Sequence, residues 1–215
     1  MRYLAERIEL RTAIIGVLVL HLVGIIGLAS PLAHVVLPLT PVNLVLTGLA
    51  MVLFAKADGR TVALALLLGT FGFLVEVIGV HTGRIFGAYT YGDVLGMKVF
   101  NVPLLIGLNW SMLIFAIGVT LQGTRWPVAL KIAAGSLMMV GLDMLIEPVA
   151  VHLGFWTWEQ GVIPVQNYVA WGAVSLLFFT LFHLLPVKRE NPIARYVLLA
   201  QVLFFAGMNL AVQAF

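Results

Sequence analysis

The sequence predicts an all-α integral membrane protein, in which about seven membrane-spanning helices form a single domain over residues 1–215. Hydrophobic residues make up 62% of the chain and charged residues only 10%, and the mean hydropathy is +1.09. A soluble domain is about 45–50% apolar and roughly 25% charged. The apolar residues form long runs and do not alternate with polar ones, so the pattern predicts helices and not the strands of a membrane barrel.

Seven apolar segments follow one another along the chain, and most approach the roughly 20 residues that a spanning helix needs. Before them, residues 1–10 (MRYLAERIEL) carry four charges. We expect these to form a short interfacial amphipathic segment and not a cleaved signal peptide. The second segment is short, and Pro38 and Pro41 mark its start. Pro148 is expected to end or bend the fifth helix. The predicted spans are 11–30, 41–56, 60–80, 102–121, 127–147, 164–185 and 192–213.

Basic residues in the loops predict the orientation of the chain. Ten fall on one side of the predicted helices, and two, Arg84 and Lys98, fall on the other. Basic loops usually stay in the cytoplasm. We therefore expect a protein of a bacterial or archaeal cytoplasmic membrane, with its amino terminus cytoplasmic and its carboxyl terminus outside. The long loops 81–101 and 148–163 then face outward. The ten cytoplasmic residues are Arg2, Arg7, Arg11, Lys56, Arg60, Arg125, Lys131, Lys188, Arg189 and Arg195.

The chain lacks the residues that several kinds of site require. It has no cysteine, which excludes thiolate metal sites. The last apolar segment has no lysine to hold retinal, the five histidines are too scattered for a di-iron cluster, and no glycine-rich phosphate loop is visible. We therefore predict neither a metal nor a cofactor. The net charge of +3 is ordinary for a protein with basic cytoplasmic loops, so it does not indicate nucleic acid as a partner. The oligomeric state is left open.

Two stretches resemble each other and predict a possible internal repeat within residues 71–171. EVIGVHTGRIF begins at Glu76 and EPVAVHLGFW begins at Glu147, and both follow the pattern E-x4-H-x-G. After each comes an aromatic loop, and then NVPLLIGLNW or VIPVQNYVAW, in which a proline precedes an asparagine and an aromatic residue. The third and fourth helices would then be repeated in parallel as the fifth and sixth, about an axis along the membrane normal.

Three carboxylic acids, Glu76, Asp143 and Glu147, lie within the predicted spans or at their ends. Ionisable groups inside a membrane are rare and indicate functional sites. Asp143 and Glu147 are four residues apart and so share a helix face. We expect all three at similar depth in the outer half of the bilayer, with Glu76 and Glu147 facing each other across a central cavity.

Two interpretations of these acids stay open. In the structural one, they pair with Arg84 and the histidines and lock the helices together. In the functional one, buried carboxylic acids beside a like neighbour keep a proton and donate it, while aromatic faces stabilise a developing cation. These groups suit the protonation of an electron-rich alkene in an isoprenoid. A transporter could use the same acids as a proton relay.

Two longer stretches carry a resemblance to a known family. They are EVIGVHTGRIFGAYTYGDVLGMKVFNVPLLIGLNW and GLDMLIEPVAVHLGFWTW followed by IPVQNYVAW. They resemble the bacterial and archaeal carotenoid biosynthesis membrane proteins of the CruF type, which include γ-carotene 1′,2′-hydratase and bisanhydrobacterioruberin hydratase. The resemblance covers roughly residues 70–175.

This resemblance implies a cofactor-independent hydro-lyase, a carotenoid 1,2-hydratase, that adds water across the terminal C1=C2 bond of a ψ end group. Protonation at C2 gives a tertiary cation at C1, and water captures it. The partners would be a lipid-soluble carotenoid, water and membrane lipids. A looser likeness to the small membrane lycopene cyclases leaves end-group cyclisation open, and proton-coupled transport also stays open.

The motif spacing suggests a role for each residue. We expect Glu76 and Glu147 to be the reacting pair, one donating the proton and the other charged, with Asp143 tuning them. The residues expected to position water or complete hydrogen bonds are Asn109, Asn167 and Tyr168. Those expected to line the end-group pocket are Trp110, Trp171 and Tyr89. The residues expected to cap the site from the loops are His81 and Arg84, which also hold Glu76 in place, and His152.

Overall fold

A computed structural model describes the backbone of residues 2–213 and the side chains of residues 9–212. Within this part of the chain there are eight α-helices and four short strands. They are α1 (Arg2–Leu28), α2 (Ala33–Val36), α3 (Thr40–Phe54), α4 (Gly59–Thr82), β1 (Tyr89–Tyr91), β2 (Lys98–Val99), β3 (Val102–Pro103), α5 (Leu105–Gln122), α6 (Val128–His152), β4 (Trp156–Trp158), α7 (Val165–Leu184) and α8 (Ala194–Gln213).

Seven helical segments are long and apolar enough to cross a membrane, which confirms the predicted all-α helix bundle. Many of their leucine, isoleucine and valine side chains are exposed on the outside of the bundle, where a soluble protein would carry polar residues. The protein is therefore an integral membrane protein. The segments are Glu9–Leu28, Ala33–Phe54, Gly59–Thr82, Leu105–Gln122, Val128–His152, Val165–Leu184 and Ala194–Val212.

The second span begins eight residues before the predicted 41–56, at Ala33. The short helix α2, a 3₁₀ turn over Leu37–Leu39 and α3 follow one another without a break. Pro38 lies at the start of the 3₁₀ turn and Pro41 lies in the first turn of α3. A proline at these positions loses no hydrogen bond, because the first N–H groups of a helix have no partner within it. The two prolines therefore start helical turns inside the span and do not exclude residues from it.

Helix α6 continues past Pro148 to His152, so the prediction that the fifth span ends at residue 147 was wrong. A proline inside a helix removes one backbone hydrogen bond, but the others remain, and an apolar environment favours keeping them. Gly154, two residues after the end of the helix, has a φ of 70°. This left-handed conformation suits glycine because it has no Cβ.

The amino-terminal part of α1 is helical and continuous with the first span. The side chains of residues 1–8 lie outside the described residues. The prediction that residues 1–10 form an interfacial segment therefore stays a prediction.

The loops after α4 and α6 meet at one end of the bundle, where β1 and β4 pair as antiparallel strands. Tyr89 lies opposite Trp158, and Tyr91 lies opposite Trp156. Backbone hydrogen bonds extend the pairing on both sides, from Glu159 N to Ala88 O and from Gly92 N to Phe155 O. We call this two-stranded unit, residues 88–92 and 155–159, the lid. The two loops were predicted to face the same side of the membrane, and this pairing places them at the same end of the molecule. The internal repeat stays a prediction.

Helix α5 is the most enclosed of the described spans, because 56% of its residues are buried. It contacts α3, α4, α6, α7 and α8, while α4 packs mainly on α5 and α6 mainly on α7. Trp110 on α5 is 1% exposed and lies among the large buried side chains of the core. The acid-bearing helices α4 and α6 both pack on this central helix, directly below the lid.

Candidate active site

Three carboxylic acids lie in the interior of the bundle. The exposed fractions are 4% for Glu76 on α4, and 0% for Asp143 and 2% for Glu147 on α6. Among the residues whose side chains are described, no lysine, arginine or histidine forms an ion pair with them. A buried charge without a counter-ion depends on hydrogen bonds from neutral donors, and those donors therefore determine the chemistry of the site.

Glu76 accepts hydrogen bonds from three aromatic side chains. The hydroxyls of Tyr89 and Tyr91 both donate to Oε2, the second at 2.9 Å. The indole Nε1 of Trp110 donates to Oε1 at 3.1 Å. Burial, together with the nearby charge of Glu76, raises the pKa of both tyrosine hydroxyls, so they keep their protons and remain donors.

Glu147 also accepts three hydrogen bonds. The indole Nε1 atoms of Trp156 and Trp158 donate to Oε2 at 3.0 and 2.9 Å. The amide Nδ2 of Asn167 on α7 donates to Oε1 at 3.2 Å. Glu76 and Glu147 therefore share one arrangement, in which Oε2 binds two aromatic residues of the lid and Oε1 binds a residue of the next helix.

The alternating side chains of the lid strands explain this arrangement. Residues i and i+2 of a strand point to the same face, so Tyr89 and Tyr91 reach one glutamate while Trp156 and Trp158 reach the other. Tyr91, Trp156 and Trp158 were not among the predicted site residues. The signal that would have found them is the pair of tripeptides YTY and WTW, each an aromatic alternation after an acid-bearing helix.

Asp143 has the fewest hydrogen bonds of the three acids. Its Oδ2 accepts from Asn167 Nδ2 at 2.6 Å, while its Oδ1 is buried and has no hydrogen-bond partner among the described residues. Because Asn167 bonds both acids, Asp143 and Glu147 lie on the same face of α6, as their spacing predicts. Asn167 is itself 2% exposed.

Aromatic rings connect the two halves of the site. The rings of Tyr89 and Trp158, which donate to opposite glutamates, lie 5.0 Å apart between centroids. Trp110 and Trp171 stack at 4.3 Å with an angle of 25° between their planes. Of the expected pocket residues, Trp110 and Trp171 contact each other, and Tyr89 and Trp110 bind the same glutamate. The central cavity expected between Glu76 and Glu147 stays a prediction.

His81, Arg84 and His152 do not reach the carboxylates, which corrects their expected placement over the site. All three are exposed, and no hydrogen bond or ion pair joins their described side chains to an acid. Each histidine follows its glutamate by five residues, which turns it about 140° around the helix, away from the side of the acid. The motif spacing therefore places the histidines on a different face.

Asn109 and Tyr168 lie at the margin of the acid cluster and are half-buried. Asn109 lines a cavity of about 220 Å³ that also contacts Ile146 and Trp156, next to Glu147. Most of the lining is apolar, and it includes exposed residues that face the lipid side, such as Val42. The polar residues of the lining are His21, Thr40, Asn43 and Asn109. We call this space the side cavity.

A second, larger cavity of about 560 Å³ lies between α3, α4 and α5. Its lining is almost entirely apolar and includes Leu104 and Asn191. It contains none of the three acids. Among the described residues, no group of three or more histidine, cysteine, aspartate or glutamate side chains stands where it could hold a metal ion.

Comparison with known proteins gives two matches. The model of the family described as carotenoid biosynthesis protein matches residues 16–215. Among curated proteins, the chain is similar to the bisanhydrobacterioruberin hydratase of Haloarcula japonica, with 29% identity over 178 residues. The match covers 74% of this chain and 59% of that relative, so the chain spans about three fifths of the relative's length. No solved structure matches the chain.

Proposed function

The chain belongs to the carotenoid biosynthesis protein family, and from this premise we propose that it is a carotenoid hydratase. The similar protein from Haloarcula japonica is named as a hydratase. The proposed reaction adds water across the terminal C1=C2 bond of a ψ end group. The observation that carries the proposal is the cluster of three buried carboxylic acids, without a cationic partner among the described side chains and surrounded by aromatic rings.

The acid cluster supplies what the first step needs. A proton passes from a carboxylic acid to C2, the electron pair of the double bond forms the new C–H bond, and a tertiary cation remains at C1. A positioned general acid accelerates such a step by roughly 10²–10⁴-fold. Aromatic faces can stabilise the cation by about 0.5–2 kcal/mol each.

Water completes the reaction without another reagent. Its oxygen bonds to C1, and the proton that it loses returns to a carboxylate, so the site ends as it began. C1 is formally oxidised by one unit and C2 is reduced by one unit, so the substrate undergoes no net redox change and the balance requires neither an oxidant nor a reductant. In this step Asn167, which binds two of the acids, and Asn109, which lines the side cavity, would position the water.

The side cavity is our candidate for the position of the end group. Its apolar lining suits a branched hydrocarbon end, its outer residues face lipid, and Trp156 connects it to Glu147. Carotenoids dissolve in the lipid phase, so a cavity that opens between helices admits them without passage through water. Neither lining includes one of the three acids, but the larger cavity also lacks any residue that binds one of these acids, so it is a poorer candidate for the reacting end.

Expression in a host that accumulates a carotenoid with open ψ ends tests the proposal. The pigment should become more polar and gain the mass of one water for each end that reacts. Unchanged mass with a closed ring would show that an internal alkene captured the cation, which is the cyclase alternative. Unchanged pigment, together with pH-dependent movement of a solute in vesicles, would indicate the transporter.

A further inference from the structure

The hydrogen bonds of the acid cluster distinguish Asp143 from the two glutamates. Glu147 receives its three bonds from two indole N–H groups and one amide N–H group. None of these groups can accept a proton. A proton on Glu147 would displace one of its three donors, so this arrangement suits a carboxylate anion.

Glu76 has the same pattern with different donors. Two hydroxyls and one indole N–H bind its two oxygens, so both oxygens are occupied as acceptors. Tyr89 and Tyr91 come from the lid, and Trp110 comes from α5. Each glutamate thus binds one strand of the lid to the helix bundle. For this role the glutamate must accept hydrogen bonds, and it needs no transferable proton.

Asp143 accepts fewer hydrogen bonds than either glutamate. It lies one turn from Glu147 on α6, with Asn167 bonded to both, and no described cation balances the two acids. Two negative charges one helical turn apart in an apolar interior are unfavourable, so one of the two acids keeps its proton. Asp143 accepts a single hydrogen bond at Oδ2, and a proton on Oδ1 would displace no donor among the described residues, so Asp143 is the acid better suited to the neutral form.

The first half of the site has no equivalent of Asp143. The residue one turn before Glu76 is Gly72, where Asp143 stands one turn before Glu147. Trp110 packs directly on Gly72, since a Cβ there would come within 2.6 Å of the Trp110 ring. This close approach leaves no room for a second acid beside Glu76, so the cluster has one position for a proton donor.

We propose that Asp143 is the proton donor of the hydratase, and that Glu76 and Glu147 are positioning residues that hold the lid over it. The inference rests on the proposed hydratase function. The O–H of Asp143 protonates C2 and becomes a carboxylate, and the water that captures C1 returns a proton to it. Asp143 is fully buried, so the end group displaces neighbouring side chains when it reaches Oδ1.

The test uses the purified full chain in lipid nanodiscs with a ψ-end carotenoid as the probe. The Asp143→Asn variant should lose at least about 100-fold in hydration rate while it still binds the pigment, as measured by the absorption shift of bound carotenoid. Asp143→Glu should recover part of the rate, because it restores a transferable proton. Glu159→Gln is the matched control, since Glu159 is an exposed acid of the lid.

Glu76→Gln and Glu147→Gln should behave differently from Asp143→Asn. Each should unfold at a lower temperature and lose less than about tenfold in hydration rate. Each should also keep the solvent isotope effect, the slower reaction in heavy water that proton donation by Asp143 causes. If Asp143→Asn stays active, or if a glutamine variant loses as much rate and also loses the heavy-water effect, Asp143 is not the donor. An inactive wild-type chain would instead refute the hydratase proposal itself.

Discussion

At the scale of single residues, the direction of each hydrogen bond decides what an acid can do. Indole and amide N–H groups donate only, so the acids bound by the N–H groups of Trp156, Trp158 and Asn167 are acceptors. The pattern predicts that the lid tryptophans contribute to stability through their N–H groups as well as through their apolar area.

Replacing Trp158 by phenylalanine tests this contribution. The Trp158→Phe variant keeps an aromatic ring beside Tyr89 but removes a 2.9 Å donor to Glu147. A hydrogen bond to a charged group contributes about 1.5–3 kcal/mol, so the thermal midpoint in nanodiscs should fall clearly. Trp126→Phe is the control, because Trp126 is 46% exposed. Equal midpoints for both variants would contradict the assigned role.

Sequence reasoning singles out the acids and some of their partners, Tyr89, Trp110 and Asn167, but misses Tyr91, Trp156 and Trp158. Glu76, Asp143 and Glu147 are recognisable because a carboxylate in an apolar run has no ordinary explanation. The other lid donors are hard to recognise, since a three-residue strand such as YTY or WTW gives only a weak periodic signal. His81 and His152 were misplaced because a shared spacing shows similarity between two segments and not the face on which a side chain lies.

At the scale of secondary-structure elements, the lid is the least expected feature. Its two strands are distant in the sequence and meet only because α4 and α6 end at the same level. Thr90 and Thr157 form the central pair and are exposed, while their aromatic neighbours turn toward the acids. The chain has no cysteine, which makes this pairing directly testable by cross-linking.

The double variant Thr90→Cys with Thr157→Cys should form a disulfide under mild oxidation. Opposed residues of an antiparallel pair have Cα atoms about 4.5–5.5 Å apart, within the range that a disulfide requires. The control variant combines Thr82→Cys with Thr157→Cys, because Thr82 lies at the end of α4 and outside the lid. A shift on a non-reducing gel for the control alone would mean that the register is wrong.

The start of α4 predicts a dependence of stability on pH. Asp58 Oδ1 accepts from Thr61 N at 2.9 Å, and this backbone hydrogen bond lowers the pKa of Asp58. A lowered pKa in the folded state stabilises the protein above about pH 4, the usual value for aspartate, and this stabilisation is lost as the pH falls through the folded pKa. Asp58→Ala should therefore lower the thermal midpoint more at pH 7 than near pH 3. Equal effects at both values would contradict the capping role.

At the scale of the whole molecule, apolar runs predict the bundle well. A spanning helix must form its backbone hydrogen bonds within itself and present apolar side chains to lipid. Proline was the main source of error, since it can either begin a helix or lie inside one. The packing of α4 and α6 on α5 could not be predicted, because it depends on close contacts such as that of Gly72 with Trp110.

The orientation in the membrane stays a prediction with a direct test. Reporter fusions after Gly161 should read as extracytoplasmic and fusions after Arg189 as cytoplasmic, because the basic loops lie on the side of Arg189. The structure places the lid and residues 185–193 at opposite ends of α7, so the two reporters must differ. The reverse pattern would place the acid cluster near the cytoplasmic surface.

The source of the new oxygen tests the central claim, that buried acids add water to a carotenoid end group. The purified chain would be incubated in nanodiscs with a ψ-end carotenoid in water enriched in heavy oxygen, under ordinary oxygen gas. The account predicts a tertiary alcohol whose hydroxyl carries the solvent label, formed without added nucleotide, flavin or metal. A product that takes its oxygen from the gas, or one that gains no oxygen, would contradict it.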